Sequence, residues 1–122
     1  MRFFRSDRVS KLIREELSKI ILREFEFGGA LATITSVDVD KKLERAMINV
    51  SVLPAEREAV VVEELKRSAG RLQHLLNKKL NIRPMPRIIF APDRGNENAA
   101  IVEKLLEEDN NGGDTIGHVA KQ

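Results

Sequence analysis

The sequence predicts an α+β fold in which a three-stranded sheet carries helices packed on one face. Three observations support this prediction. Apolar residues recur at helical spacing near the N-terminus, they alternate with a period of two in the following segment, and glycines or prolines separate the periodic segments. The predicted order is helix, strand, strand, helix, kink, helix, strand, helix. A chain of 122 residues has room for one such domain and an appendage.

The first predicted helix runs from Ser6 or Asp7 to about Phe25. Its apolar residues recur every three or four positions, which places them on one helical face. Serine and aspartate can each cap the helix start, and the Gly28-Gly29 pair ends the helix because glycine readily adopts the positive φ angles of a turn. The apolar face comprises Val9, Leu12, Ile13, Leu17, Ile20 and Ile21.

The next segment, Leu31 to Asp40, changes to an alternating pattern that predicts a β-strand. Its apolar residues fall mostly at odd positions, so we expect Leu31 and Val37 to face the core. Asp38 and Asp40 then point to the opposite face. The full prediction places Leu31, Thr33, Thr35, Val37 and Val39 inward, and Ser36, Asp38 and Asp40 outward.

A second strand is predicted from Ala46 to Leu53, where the alternation is more regular. The segment between the two strands, residues 40–44, is polar and short enough for a hairpin. The strands should therefore be antiparallel neighbours. The prediction for this strand places Ala46, Ile48, Val50 and Val52 inward, and Asn49 and Ser51 outward.

An interrupted helix is predicted from about residue 55 to Leu80. Pro54 suits the start of a helix, and the apolar repeat then continues across Gly70 in the middle of the segment. A helix, a kink at Gly70 and a second helix account for this pattern. The segment Arg83-Pro84-Met85-Pro86 ends the second helix because each proline disfavours the α conformation in the residue before it.

The last part of the chain is predicted to contain one strand and one helix. The strand runs from Arg87 to Ala91, and the helix from about Asn96 to Glu108. Residues 109–122 are polar, contain glycine and lack periodicity, which predicts a disordered tail. The predicted folded domain is therefore residues 1–108. The apolar side of its last helix comprises Ile101, Val102, Leu105 and Leu106.

The composition excludes several functional classes. The chain has no cysteine, which excludes disulfides, thiolate metal sites and cysteine nucleophiles. Its aromatic residues are five phenylalanines, so it lacks the rows of tyrosine and tryptophan that stack single-stranded bases. No uninterrupted apolar run exceeds four residues, far short of the roughly 18 that a membrane span needs. We therefore expect a cytoplasmic protein.

Positive charge is concentrated in one block, residues 66–94, which carries eight basic residues and one acidic residue. On a helix, Arg67, Arg71, His74 and Lys78 form one stripe about 200° around the axis from the apolar repeat. This pattern predicts a polyanionic partner, although a solvated basic face without a partner gives the same pattern. Lys66, Lys79, Arg83 and Arg87 extend the stripe, and Arg5, Arg8 and Lys11 of the first helix form a second candidate surface.

Catalytic chemistry has little support in the sequence. His74 lies among cations and has no evident catalytic partner. Asp38 and Asp40 could together bind a hard cation such as Mg²⁺, although aspartates before a turn explain the same pattern. The segment 93–96, Asp-Arg-Gly-Asn, could offer backbone amides to a phosphate or form an ordinary helix cap. We therefore predict a protein that is not an enzyme and that has no cofactor and no metal site.

Several motifs resemble one family. The interruption Ser68-Ala69-Gly70 is followed by RLQHLL, and Arg83-Pro84-Met85-Pro86 precedes IIF at residues 88–90 and then Asp93. Together with the element order, these features over residues 5–107 resemble bacterial ribosome-binding factor A. The kink of that family is usually Ala, any residue, Gly, and Ser68 takes the first position here.

The resemblance implies a K-homology domain of the second type over residues 1–108, in the order α-β-β-α-(kink)-α-β-α. It also implies a monomeric assembly factor that binds the small ribosomal subunit and assists late maturation of its RNA, including in the cold. RNA-binding K-homology domains carry a Gly-any-any-Gly loop, and Gly70 is the only glycine between residues 30 and 94. Phosphate contacts and shape should then hold the RNA. The alternative is a protein–protein adaptor that docks through a sheet edge or the acidic segment 95–108.

Overall fold

The computed structural model describes residues 5–94 of the chain, and the α+β architecture predicted from the sequence is confirmed there. The predicted last helix, Asn96 to Glu108, and the tail at residues 109–122 lie outside the described residues. Within residues 5–94, no helix is both long enough and apolar enough to span a membrane. The elements are α1 (Arg5–Glu24), β1 (Leu31–Val39), β2 (Arg45–Leu53), α2 (Glu58–Arg67), α3 (Ala69–Lys79) and β3 (Arg87–Pro92), with a 3₁₀ turn (Ala55–Arg57) before α2.

The sheet has the order β1-β2-β3. β1 and β2 are antiparallel, which confirms the predicted hairpin. β2 and β3 are parallel, and the crossover between them contains α2 and α3. A parallel pair needs such a long connection because the chain must return to the same end of the sheet. β2 is therefore the central strand, and β1 and β3 form the two edges.

The core lies between the helices and one face of the sheet. The inward residues predicted for β2 are confirmed, since Ala46, Ile48, Val50 and Val52 are all buried. From the helix layer, α1 contributes five buried residues, and α3 contributes two leucines that are completely buried. The buried residues of the helix layer include Val9, Ile13, Leu17, Ile20 and Ile21 of α1, Val61, Val62 and Leu65 of α2, and Leu72 and Leu76 of α3.

A β-bulge in β1 overturns half of the prediction for that strand. Ile34 pairs with Val50 and Ser36 pairs with Asn49, so the strand register skips Thr35, whose hydroxyl group donates to the Asn49 carbonyl oxygen at 3.2 Å. An extra residue reverses the alternation of side chains along a strand. Ala32 and Ile34 therefore face the core before the bulge, and Val37 and Val39 face it afterwards. The prediction that Leu31 faces inward is wrong, since its side chain is 57% exposed.

The turn between β1 and β2 is organised by Asp40, which is only 5% exposed. Its Oδ1 atom accepts hydrogen bonds from the backbone amides of Glu44, at 2.7 Å, and Arg45, at 3.1 Å. Leu43, which adopts a positive φ of 59°, is buried beneath this turn. The prediction that Asp40 points outward beside Asp38 is therefore wrong, because Asp40 turns inward to bind the backbone of the hairpin.

The predicted interruption of the long helix is confirmed, but it is centred on Ser68 instead of Gly70. Ser68 has φ −94° and ψ 4°, whereas Gly70 lies in the first turn of α3 without a positive φ. The amide of Ser68 still donates to Glu64, and its carbonyl still accepts from Leu72. A Cβ atom at position 70 would meet nothing within 4 Å. The bend therefore does not require a glycine at this position.

Candidate nucleic-acid interface

The basic residues predicted for the interface lie on the surface. All eleven candidates are exposed, and on α3 they lie opposite Leu72 and Leu76, which are completely buried. The structure confirms that these side chains point away from the core. The exposed residues are Arg5, Arg8, Lys11, Lys66, Arg67, Arg71, His74, Lys78, Lys79, Arg83 and Arg87.

Two groups of cations that are far apart in sequence come together in the fold. Nη2 of Arg5, at the start of α1, donates a hydrogen bond of 2.7 Å to the backbone carbonyl oxygen of Arg83, just after α3. At the other end of the same helix pair, Arg71 in the first turn of α3 reaches Glu24 at the end of α1. α1 and α3 are therefore antiparallel neighbours, and the first turn of α1 lies beside the end of α3.

Two of the predicted residues lie away from the stripe. Arg87 pairs across the sheet with Arg45, on the face opposite the helices, because β3 places Ile88 toward the core. Lys66 lines a small cleft of about 240 Å³ between α2 and the end of β3. The structure therefore does not bring these two cations to the line formed by Arg67, Arg71, His74 and Lys78, which we call the basic stripe.

Arg71 has structural partners that the sequence did not predict. Its Nη2 atom lies 3.4 Å from Oε1 of Glu24, and its guanidinium carbon lies 5.5 Å from the ring centroid of Phe25. The Phe25 ring in turn stacks on Phe27 at a centroid distance of 5.4 Å. Arg71 therefore forms a structural ion pair, although the basic stripe had been predicted to face only a polyanionic partner. The side chain is nevertheless 56% exposed, so part of the guanidinium still faces solvent.

The rest of the basic stripe has no internal counterion in the part of the chain that the structure describes. The side chains of Arg67, His74 and Lys78 make no hydrogen bond or ion pair with any residue from 5 to 94. Solvent ions must then balance the charges of Arg67 and Lys78. A polyanion that displaces these ions gains entropy from their release, so this surface suits a phosphate-rich partner.

Gln73 positions α3 against β3, a role that the sequence did not predict. Its Oε1 atom accepts from the amide of Ile88 at 2.8 Å, and its Nε2 atom donates to the carbonyl of Pro86 at 3.2 Å. The same Nε2 atom donates to Oδ1 of Asn77 at 3.1 Å. The only signal in the sequence was an uncharged polar residue beside the apolar positions of the helix. Gln73 therefore holds the basic stripe in a fixed position relative to the sheet.

The other candidate sites have different roles in the fold. Asp38 accepts a hydrogen bond of 2.9 Å from the Asn49 side chain, whereas Asp40 binds the turn amides. In the described chain, carboxylates and histidines do not gather in groups of three or more that could hold a metal ion. Within the segment 93–96, Arg94 forms an ion pair of 2.8 Å with Glu58. Residues 95 and 96 lie outside the described range.

A second exposed surface is formed by α1, the turn that follows it and β1. A groove of about 510 Å³ separates α1 from β1, and most of its lining is apolar. Leu22 and Leu31, which both line it, are 81% and 57% exposed. The groove lies beside β1, one of the two sheet edges. The acidic segment 95–108, which was the other candidate for protein docking, lies outside the described residues.

Comparisons with known proteins agree with these motifs and this fold. The family model described as ribosome-binding factor A matches residues 5–106. A ribosome-binding factor A from Caldanaerobacter subterraneus is 34% identical over 108 residues, which cover 86% of this chain and 88% of the relative. The similarity is therefore spread over almost the whole length of both chains.

Solved structures support the same fold. The crystal structure of ribosome-binding factor A from Thermus thermophilus has a TM-score of 0.61 at 23% identity, covering 74% of this chain and 98% of that one. A Thermus thermophilus ribosome binding factor A homology model, fitted into a cryo-EM map of a 30S complex, has a TM-score of 0.58 at 23% identity, covering 69% and 90%. The fold is K-homology-like. From its sequence motifs and the family match, this chain belongs to the ribosome-binding factor A family.

Proposed function

We propose that this protein is an assembly factor that binds the small ribosomal subunit and assists late maturation of its ribosomal RNA, including in the cold. The observation that carries the proposal is the exposed basic stripe, whose Arg67 and Lys78 lack internal counterions within residues 5–94. Family membership supports it, as does the 30S complex to which the Thermus thermophilus homology model was fitted. In this role the protein acts as a monomer in the cytoplasm, without a cofactor and without catalysing a reaction.

The binding mechanism follows from the chemistry of the surface. Cations that contact phosphates release condensed counterions, which drives association and makes it dependent on salt. Such contacts fix the position of a protein on RNA but do not read its sequence. Since residues 5–94 contain no Gly-any-any-Gly loop, the protein would recognise folded RNA by shape. The proposed contacts are Arg67, Arg71, His74 and Lys78 of the basic stripe, flanked by Lys79, Arg83, Arg5, Arg8 and Lys11, with Lys66 and Arg87 further away.

Co-sedimentation across a series of salt concentrations tests this function. The protein would be mixed with small subunits, with whole ribosomes and with naked ribosomal RNA. We expect preferential binding to small subunits, with an association constant that falls steeply as salt is raised. Binding to subunits that is insensitive to salt would instead favour the alternative, a protein–protein adaptor that docks through the β1 edge. Absence of binding to subunits at low salt would contradict the proposed function outright.

The proposed folded unit is residues 1–108, and residues 109–122 are expected to add little to its stability. The tail sequence is polar and offers few apolar side chains to bury. Deletion of residues 109–122 should therefore leave the melting temperature nearly unchanged. A fall of more than about 5 °C, which corresponds to about 1 kcal/mol for a domain of this size, would show that the segment packs on the domain.

A further inference from the structure

A small cleft lies at the C-terminal end of α3, in the segment that leads to β3. Its volume is about 260 Å³. Leu80, Ile82 and Met85 are partly buried and pack against the main core, so the core supports the apolar part of the lining. Asn77, Asn81 and Arg83 are exposed and contribute polar groups. The cleft therefore combines apolar and polar groups, and its lining is Asn77, Leu80, Asn81, Ile82, Arg83 and Met85.

A chain of hydrogen bonds fixes the side-chain orientation of Asn77. The amide of Ile88 donates to Oε1 of Gln73, so the Gln73 amide nitrogen must point the other way. That nitrogen donates to Oδ1 of Asn77 at 3.1 Å. The oxygen of Asn77 is therefore occupied, and its Nδ2 group has no acceptor within residues 5–94. The cleft thus has a hydrogen-bond donor that is oriented before any ligand arrives.

The mouth of the cleft is positively charged. Arg83 belongs to the lining, and the guanidinium group of Arg5 is held against the Arg83 carbonyl oxygen at 2.7 Å. Lys78 and Lys79 occupy the last turn of α3, next to Asn77. None of these four cations forms an ion pair with a carboxylate in residues 5–94. An anionic ligand at this mouth would meet several cations and no opposing structural charge.

We propose that this cleft, the α3-end cleft, binds one unstacked nucleotide of RNA. The face of the base would lie on Leu80 and Met85, an acceptor atom on its edge would bind Nδ2 of Asn77, and its phosphate would lie near Arg83 and Arg5. Proteins read unpaired bases in RNA loops and bulges through such edge hydrogen bonds. The inference rests on the proposed RNA-binding function and adds a base contact, which the phosphate contacts of the basic stripe cannot provide.

Nuclear magnetic resonance of the full chain tests the cleft without the ribosome. The ¹⁵N-labelled protein would be titrated with each of the four ribonucleoside 5′-monophosphates, and separately with inorganic phosphate. We expect at least one nucleotide to cause saturable shifts of the Asn77 side-chain amide and of the backbone amides of Leu80, Asn81, Ile82, Arg83 and Met85. Asn77→Ala should raise the nucleotide concentration needed for half-saturation of the remaining backbone shifts by about fivefold. Absence of shifts with every nucleotide, or the same shifts with phosphate alone, would overturn the proposal.

Subunit binding supplies the second measurement. Asn77→Ala should weaken binding by about fivefold, the value of one hydrogen bond, without changing the slope of affinity against salt, because asparagine carries no charge. Arg67→Ala is the matched control, since it should reduce the slope by about one. Asn81→Ala provides a second uncharged variant in the cleft lining, and melting temperatures would verify that each variant folds. Wild-type affinity for both asparagine variants would contradict a base contact in this cleft.

The two proposals fail in different ways. If the stripe variants lose affinity for subunits while no nucleotide perturbs the cleft, the α3-end cleft is refuted and the proposed function stands. If a nucleotide binds the cleft while the wild-type protein fails to bind small subunits at low salt, the proposed function is refuted and the nucleotide site stands.

Discussion

The two halves of the interrupted helix, α2 and α3, differ in how their charges are balanced. α2 carries three glutamates, and one of them, Glu58, forms an ion pair with Arg94 beyond β3. α3 contains no acidic residue, and Lys78 in its last turn has no counterion within residues 5–94. Both halves bury leucines in the same core. The comparison shows that the break at Ser68 separates a half that carries both signs of charge from a half that carries only cations.

Leucine-to-alanine substitutions in the core should have the largest effect, and they test whether α2 and α3 share one core. Leu65 of α2 and Leu72 of α3 are both completely buried. Replacing either with alanine should lower the free energy of unfolding by about 2 to 5 kcal/mol, because each substitution leaves a cavity in a packed core. Urea unfolding would measure both variants. A single transition with similar losses is expected, and two separate transitions would show that the halves fold independently.

The second prediction concerns the charges that distinguish the halves. The triple variant Arg67→Ala, Arg71→Ala, Lys78→Ala should reduce the slope of log affinity for small subunits against log salt by about two to three, one for each lost phosphate contact. Glu63→Gln with Glu64→Gln in α2, and Lys41→Ala with Lys42→Ala in the hairpin turn, are controls that should change the slope less. Co-sedimentation at several salt concentrations measures this slope for each variant.

An unchanged slope and affinity for the triple variant would place the contact surface elsewhere. The first turns of α1 would then be the next candidate, because Arg5 already lies beside the end of α3. The corresponding variant would replace Arg5, Arg8 and Lys11 with alanine.

The third prediction separates two cations within α3. Arg71→Ala should cost about 1 kcal/mol of stability, since the variant loses an exposed ion pair with Glu24 and the contact with the Phe25 ring. Lys78→Ala should change stability by no more than about 0.5 kcal/mol, because its side chain has no partner in residues 5–94. Both substitutions should reduce the slope of log affinity for small subunits against log salt by about one. Equal stability of the two variants in urea would show that the contacts of Arg71 do not stabilise the fold.

The smallest expected effect concerns Gly70, at the start of α3. Gly70→Ala should raise the free energy of unfolding by about 0.5 to 1 kcal/mol, because the position is helical and the added methyl group meets no neighbour. A kink that required glycine at position 70 would instead make this substitution destabilising. A variant that unfolds at a lower urea concentration than the wild type would show that the bend requires glycine at position 70. A stabilised variant with weaker subunit binding would show that the partner approaches the backbone at this position.

Much of the fold is predictable from the sequence because it depends on local periodicity. The alternation in β2 and the apolar repeat of α1 predict both elements and most of their inward residues, although Leu12, predicted on the apolar face of α1, is 43% exposed. The bulge at Thr35 is different, since it depends on how β1 pairs with β2. Nothing in the pattern of β1 marks the residue that the strand register skips. The inward turn of Asp40 was missed for a similar reason, because its partners are backbone amides of the hairpin.

In the candidate interface, too, features set by the spacing within one helix are predictable from the sequence, whereas contacts between elements are not. The exposure of the basic stripe follows from helical spacing, because the apolar repeat fixes which side of α3 is buried. The ion pair between Arg71 and Glu24 joins residues 47 positions apart and depends on the antiparallel packing of α1 and α3. The meeting of Arg5 with Arg83 depends on the same packing. Contacts of this kind need the tertiary structure, since sequence spacing reports only on neighbours within one element.

The side-chain amide of Gln73 also affects how the protein resists aggregation. It occupies the amide of Ile88 and the carbonyl of Pro86, which are the backbone groups that an incoming strand would need at the start of β3. A foreign strand can therefore extend the described sheet more readily at β1 than at β3. Growth of a filament by edge-to-edge pairing needs two available edges on every molecule. With the start of the β3 edge obstructed, pairing through β1 would stop at two molecules, which disfavours filament growth.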